Sequence, residues 1–251
     1  MDPSQFTLHA EIEDRHWWFR VRREIIRRVL ELHGHAGDGV HLLEIGCGTG
    51  GNLKYLGRFF RVSGVDISPV AVAFARERLS SPVLQGDFRE LYPDGFTDVG
   101  LVLLADVLEH IEDDRAFLAG VVERLPPGGS VLITVPAHRF LWSGHDEVLG
   151  HVRRYSPSGL RDSWGGLPVT EVYFSYFNTL LFPAIALLRL LARSREAKSD
   201  LKLPSPAVNR LLYRIFSLEK YAVGKVPLPA GVSLLALLRK NGTVERGRGA
   251  T

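Results

Sequence analysis

The stretch from Leu42 to Gly51, Leu-Leu-Glu-Ile-Gly-Cys-Gly-Thr-Gly-Gly, constrains this chain more than any other. An apolar run (Val40, Leu42, Leu43, Ile45) is strand-like, and it gives way to four glycines within six residues. Glycine reaches backbone conformations closed to other residues, and without a Cβ it lets a ligand approach the chain. The pattern predicts a buried strand turning sharply into a helix. The turn would form a ligand cradle at the carboxyl end of the first strand of an open α/β sheet. Glu44 sets a carboxylate just before it, where a cationic or hydroxyl-bearing ligand would lie.

The cradle alone leaves the ligand open. Gly46, Gly48 and Gly51 satisfy Gly-x-Gly-x-x-Gly, the dinucleotide fingerprint, which is weak when taken alone. The next strand, Phe60-Arg-Val-Ser-Gly-Val-Asp66, ends in an acid able to bind both hydroxyls of a ribose, which suits either cofactor class. A third strand, Pro82-Val-Leu-Gln-Gly86-Asp87-Phe88, ends in another acid, placed for an exocyclic adenine amine. A fourth, from Asp98 to Ala105, runs into Asp106-Val-Leu-Glu109-His110. Leu125-Pro-Pro-Gly-Gly129 then turns into a fifth, Ser130 to Pro136.

This ordered set resembles the class I S-adenosylmethionine-dependent methyltransferases, nearest the branch of the ubiquinone-biosynthesis O-methyltransferases. The resemblance is tight over residues 40–136 and loose over 10–160. It implies an α/β, Rossmann-like sheet of seven mostly parallel strands with helices on both faces. An antiparallel last strand would be preceded by a helical insertion. It also implies S-adenosyl-L-methionine as cofactor. Backbone groups of Gly46, Cys47, Gly48 and Gly50, with Glu44 and Asn52, would hold the methionine part. Asp66 would bind the ribose, Ile67 the adenine face, Gly86 and Asp87 the adenine amine, and Phe88 the ring. Ala105 and Asp106 would line the pocket after the fourth strand.

Strand and helix signals alternate along the chain, which argues for a parallel sheet covered on both faces. Helices are expected at 52–59, at 70–79 behind a Ser68-Pro69 start, and at 113–124. Pro168 to Tyr176 alternates as an exposed sixth strand, and Gly231 to Arg239 reads as the last one. The expected division is a lid helix in 1–36, a cofactor-binding core in 37–176 and an apolar helical insertion in 177–230. A last strand in 231–240 and a flexible tail in 241–251 complete it.

Residues Glu11 to His33 read as one amphipathic helix carrying His16-Trp17-Trp18-Phe19-Arg20. Two adjacent tryptophans cannot both face the core of one helix. The resemblance makes this segment a lid, with Trp18 and Phe19 over the cofactor and Arg20 or Arg23 on the methionine carboxylate.

The insertion is the most individual region. Val172 to Leu188 holds no charge, and Arg189, Arg193 and Arg195 follow. A spanning helix needs about 20 apolar residues, and Pro183 interrupts this run. Three readings remain: a cap over the site, a homodimer face, or a monotopic helix at a membrane surface. Each fits an apolar, amphipathic or lipid-like small-molecule acceptor.

A net charge of +3 over 251 residues demands no nucleic-acid partner. The one cysteine, Cys47, rules out an internal disulfide and suits a reducing compartment. Met1 to Ala10 is polar and lacks a signal-like apolar core, so the expected location is cytoplasmic, at most peripheral at the inner membrane face.

After the fifth strand, His138 to Glu147 and Gly150 to Tyr155 gather histidines, acids and aromatics at the active edge of the sheet. His145 or His151 is the expected general base, with Asp146 orienting it and Tyr155 and Trp142 lining the acceptor pocket. His110 is a further candidate. Ubiquinone-type relatives carry Glu-x-x-Glu-His at that position, in some cases linked with a divalent ion. This chain has Asp106-x-x-Glu109-His110, and the same Leu-Glu-His stretch resembles metal-independent relatives, so no metal is expected. The leading reading is methyl transfer to oxygen. A nicotinamide oxidoreductase and a cofactor-binding scaffold without turnover are the alternatives.

Overall fold

A computed structural model describes residues 3–37, 39–191 and 202–242. Seven strands form one sheet: β1 (His41–Ile45), β2 (Arg61–Asp66), β3 (Val83–Gln85), β4 (Leu101–Ala105), β5 (Ser130–Pro136), β6 (Val169–Phe177) and β7 (Ser233–Lys240). Their order is β3-β2-β1-β4-β5-β7-β6, with β7 antiparallel between β5 and β6. The other pairings are parallel. The α-helices among the described residues are α1 (Pro3–Ile12), α2 (Trp17–Leu32), α3 (Gly51–Leu56), α4 (Pro69–Arg78), α5 (Phe88–Leu91), α6 (Asp114–Arg124), α7 (Gly144–Leu149), α8 (Pro157–Asp162), α9 (Phe182–Leu191) and α10 (Pro206–Ser217).

The sheet is buried on both faces, as crossover helices require of a parallel sheet. Successive strand residues point to opposite sides. Thus Leu101, Leu103 and Ala105 of β4 join one core cluster, while Val102 and Leu104 join the other. The first cluster takes Val21, Ile25, Ile26, Val29 and Leu30 from α2, Leu53 and Leu56 from α3, and Phe216 from α10. The second takes Leu118, Val121 and Val122 from α6 and Leu160 from α8. Parallel β1 pairs with β2 and β4 in register, which brings the ends of these three strands to one edge.

The single helix expected over 11–33 is instead two, α1 and α2. His16 separates them with an extended backbone (φ −68°, ψ 130°), and its Nδ1 accepts the Trp18 N–H at 3.3 Å. A side-chain acceptor that satisfies an orphan amide starts a new helix there. The third strand is shorter than expected, because Gly86 (φ 144°) ends it and Asp87 caps α5. The fourth begins at Leu101, since Asp98 is held outside the ladder by Arg61. Arg193 and Arg195, and the expected tail from residue 243 onward, lie outside the described residues.

Candidate functional site

The glycine turn after β1 is built as a backbone cradle. Gly46, Gly48 and Gly50 have φ of 74°, 53° and 81°. The N–H groups of Gly46 and Cys47 donate to the Val65 carbonyl at 2.8 and 3.1 Å, tying the turn to the neighbouring strand. A Cβ on Gly46 would stand 2.7 Å from Val107 Cγ2. Gly46→Ala therefore combines a left-handed backbone with overpacking, together about 2–4 kcal/mol. A fall of roughly 5–15 °C in Tm is expected, read by calorimetric unfolding.

Asp66 organises the cradle from the adjacent strand end. Its Oδ2 accepts the Gly48 N–H and its Oδ1 the Ser68 N–H, both at 2.8 Å. Each oxygen keeps a lone pair beyond these bonds. Ile67 beside it is 77% exposed, an apolar face presented without protein cover. Burial pushes the Asp66 carboxyl up, partly offset by those two amides.

Glu44 is buried beneath the turn and accepts from Asn52 Nδ2 at 2.6 Å. Its other oxygen has no hydrogen-bond partner among the described residues. Burial pushes this carboxyl up to about 8, against the opposing pull of Asn52, Arg22 and Arg23. Such a group is ready to ionise against an arriving cation. The Cys47 thiol is likewise pushed up by burial, which removes it from thiolate chemistry.

These groups share one cavity of about 1180 Å³. That exceeds the few hundred to about 1,000 Å³ of a site for one small ligand, leaving room for a cofactor and an acceptor together. Trp18, Phe19, Glu44, Gly46, Cys47, Gly48, Asn52, Asp66, Ile67, Gly86, Asp87, Phe88, Ala105 and Asp106 all border it. So do His110, His145 and His151.

Several expected residues are placed differently, among them Gly50, which packs toward Ala75 and Leu79 and does not border the cavity. Arg23 is buried behind the cradle, with Nη2 on Glu13 at 2.9 Å and Nη1 on Asp14 at 3.3 Å, and does not border the cavity. Arg20 lies over the Tyr213 ring at 4.3 Å. Arg22 is the arginine that borders the cavity, paired with Asp106 and stacked over Trp18 at 4.5 Å. The sequence held this signal, since Trp18 and Arg22 are i,i+4 neighbours on one helix face. Asp87 reaches the cavity but caps Arg89 N–H at 2.8 Å and pairs with its guanidinium, which pulls its carboxyl down. Phe88 is buried, in edge contact with Phe117 at 5.2 Å, so only its rim meets the cavity.

Tyr155 does not line the acceptor pocket. It is buried in the second core cluster, and its hydroxyl donates to Asp114 Oδ2 at 2.6 Å. Burial and that carboxylate push the phenol well up. The hydroxyl anchors the loop from beneath.

The loop above it does converge on the cavity. Ser143 and Asp146 form a capping box at the start of α7. Fully buried Asp146 accepts from His151 Nδ1 at 2.9 Å, Arg154 Nε at 2.7 Å and the Ser143 N–H at 2.9 Å. Burial opposes its ionisation, yet the His151 hydrogen bond and Arg154 hold it well below the usual carboxylate range. Nδ1–H donation to an anion fixes His151 in the tautomer with a free Nε2 lone pair. His145 is pushed down to about 3 by burial and Arg189. His110 falls to about 4 by burial and His151, and its Nδ1 lies 3.2 Å from the Gly150 carbonyl.

Glu109, His110 and His151 present ligand atoms within 4.8 Å of one another. Both Glu109 oxygens lack hydrogen-bond partners among the described residues, and burial with Asp106 nearby pushes its carboxyl well up. His151 Nδ1 is committed to Asp146, so any ligand bond from that ring would use Nε2.

Residues 43–133 match the family described as a methyltransferase domain. The chain is 30% identical over 170 residues to an S-adenosylmethionine-dependent methyltransferase of Mycolicibacterium smegmatis, covering 64% of each chain. It is 32% identical over 130 residues to the mitochondrial ubiquinone biosynthesis O-methyltransferase of Schizosaccharomyces pombe, covering 49% of this chain and 47% of that one. The match thus spans less than two thirds of either relative's length. A chain of the solved complex between the Haloferax volcanii Trm112 methyltransferase activator and a methyltransferase superposes with TM-score 0.61 at 19% identity. That superposition covers 95% of both chains and shares the fold. Glycine cradle, acid-tipped strands, sheet order and family match agree: this chain carries a class I S-adenosylmethionine-dependent methyltransferase domain.

Proposed function

We propose that the chain transfers the methyl group of S-adenosylmethionine to a hydroxyl of an apolar or amphipathic small molecule. One observation carries this reading: His151, held by buried Asp146, borders the same cavity as the glycine cradle. Asp66 takes the ribose hydroxyls, Ile67 the adenine face, and Gly86 with Asp87 the adenine edge. Trp18 and Phe19 cover the methionine end, where Glu44 meets the ammonium. Arg22 takes the methionine carboxylate, the role expected of Arg20 or Arg23.

Bound at this place, the sulfonium would supply an electrophilic methyl carbon for in-line attack by the acceptor oxygen, the carbon–sulfur electron pair leaving with the thioether. His151 Nε2 receives the hydroxyl proton, and Asp146 stabilises the resulting imidazolium. The buried walls exclude water and hold the acceptor in line. Incubation with methyl-labelled S-adenosylmethionine and a panel of catechols, hydroquinones and prenylated phenols tests the reading. Label in an ether product is expected; label only in an amine or at carbon would overturn the choice of oxygen.

Glu44 gives the cofactor step a pH signature. Its carboxyl lies near 8, above the ordinary 4.5, so the folded protein without ligand holds a proton that the unfolded chain has lost. This contribution to stability is complete below pH 4.5 and is lost as pH rises toward 8. Binding of the ammonium requires the anion, so affinity for S-adenosylhomocysteine rises about tenfold per pH unit below the Glu44 pKa and levels above it. Calorimetry at several pH values reads the slope, and Glu44→Gln should flatten it. Chelators should leave turnover unchanged, since His151 Nε2 serves as the base in this reading and is then not available to a cation. Loss of activity with EDTA, restored by a divalent ion, would assign the cluster to a metal instead.

A further inference from the structure

The helix α9 packs as few surface helices do. None of its residues is buried, although its sequence is Phe-Pro-Ala-Ile-Ala-Leu-Leu-Arg-Leu-Leu. Leu187 is 58% exposed, Leu188 66% and Leu191 72%. Leu180 just before it, and Phe140 on the turn that contacts α9, are also exposed. Large apolar groups gathered on one surface mark an interaction site.

The charges along this stretch of the chain are one-sided. Among the described residues from 172 to 230 the one acid is Glu219, which is buried and accepts the Leu180 N–H at 2.8 Å. The exposed cations there are Lys202, Arg210, Arg214 and Lys225. Along α10, Val208 and Leu211 are exposed beside Arg210 and Arg214, with Leu218 and Tyr221 exposed just beyond its end. Leucines and arginines on one exposed helix, with no exposed carboxylate, have the composition of a helix lying in a lipid interface.

Length settles the orientation. Ten residues of α-helix extend about 15 Å, half the hydrocarbon thickness of a bilayer. No described helix is long and apolar enough to cross a membrane. The patch also leads into the active cavity, because Ile185, Leu188, Arg189, Lys202 and Pro204 border both.

We propose that the face formed by α9 and the exposed side of α10 docks on an anionic lipid bilayer, so that an acceptor dissolved in the membrane enters the cavity from that side. A second copy of the chain fits this face less well. In an isologous dimer its cations would meet the same cations, with no exposed carboxylate opposite among the described residues of 172–230. The docking itself stands on the surface alone. Only the identity of what enters rests on the proposed methyl transfer.

Co-sedimentation with vesicles tests it, using phosphatidylcholine alone or mixed with phosphatidylglycerol. The wild-type chain should sediment with the mixed vesicles, weakly with the neutral ones, and be released by salt. Leu187→Glu with Leu191→Glu, and separately Arg210→Glu with Arg214→Glu, should each lower the bound fraction by about tenfold or more. Affinity for S-adenosylhomocysteine should hold in both variants, which reports an intact fold and keeps this test separate from that of the methyltransferase reading. Absence of wild-type binding to anionic vesicles, or binding indifferent to lipid charge and salt, would overturn the proposal. So would a wild-type dimer in sedimentation equilibrium that the leucine variants dissociate while vesicles stay unbound. Should a variant misfold, the lipid and salt dependence of the wild type still decides.

Discussion

His151→Ala lowers kcat by about 10²–10⁴ while leaving S-adenosylhomocysteine affinity within about twofold. The expectation follows from the division of the cavity. In the proposed reading His151 faces the acceptor, and its Nδ1 is fixed by Asp146, which leaves Nε2 to take the proton. Removing the imidazole does not strand a buried charge, because Asp146 keeps Arg154 and the Ser143 N–H. The fold should therefore survive. A base also leaves a kinetic mark: added imidazole should restore part of the rate in the variant. His145→Ala should cost far less, since a histidine held near 3 is a feeble base at neutral pH. Equal losses in the two variants, with KM alone affected, would make His151 a packing group.

Asp66→Ala should reduce affinity for S-adenosylhomocysteine by roughly 100-fold or more. Hydrogen bonds to a charged group contribute about 1.5–3 kcal/mol each, and two are expected with the ribose. The same carboxylate holds the Gly48 and Ser68 amides, so its loss also loosens the cradle that receives the methionine part. Asp66→Asn separates the effects. An amide oxygen can keep one loop contact but offers a weaker, single-sided grip on a diol. Its affinity should fall between wild type and alanine, and calorimetry with unchanged unfolding temperature would assign the difference to the ligand.

Much of this was legible in the residues because local chemistry determined it. Four glycines after an apolar run admit few backbones, and acids at strand ends mark the ligand edge whatever packs behind them. The antiparallel β7 was legible only through the family resemblance, since strand direction leaves no mark in apolar spacing. What escaped was long-range. The break at His16 depends on one ring accepting one amide, a geometry that helical periodicity does not report. Choosing Arg22 over Arg23 needed the partners, Asp106 for one and Glu13 with Asp14 for the other. Tyr155 was mistaken for an acceptor contact because its partner Asp114 lies 41 positions away. Asn178, buried at the cavity wall with φ 57° and no side-chain partner among the described residues, carried no sequence signal beyond asparagine's tolerance of that conformation.

The central claim is that the cradle between β1 and α3, with Asp66 beside it, grips the adenosyl and methionyl parts of the sulfonium cofactor. Titration calorimetry of the wild-type chain with S-adenosylhomocysteine tests it most directly. The account predicts one site with micromolar affinity, competitive with S-adenosylmethionine and tightening from pH 6 to 8 by roughly 50-fold as Glu44 ionises. No detectable binding, or saturation by NADH in its place, would contradict it.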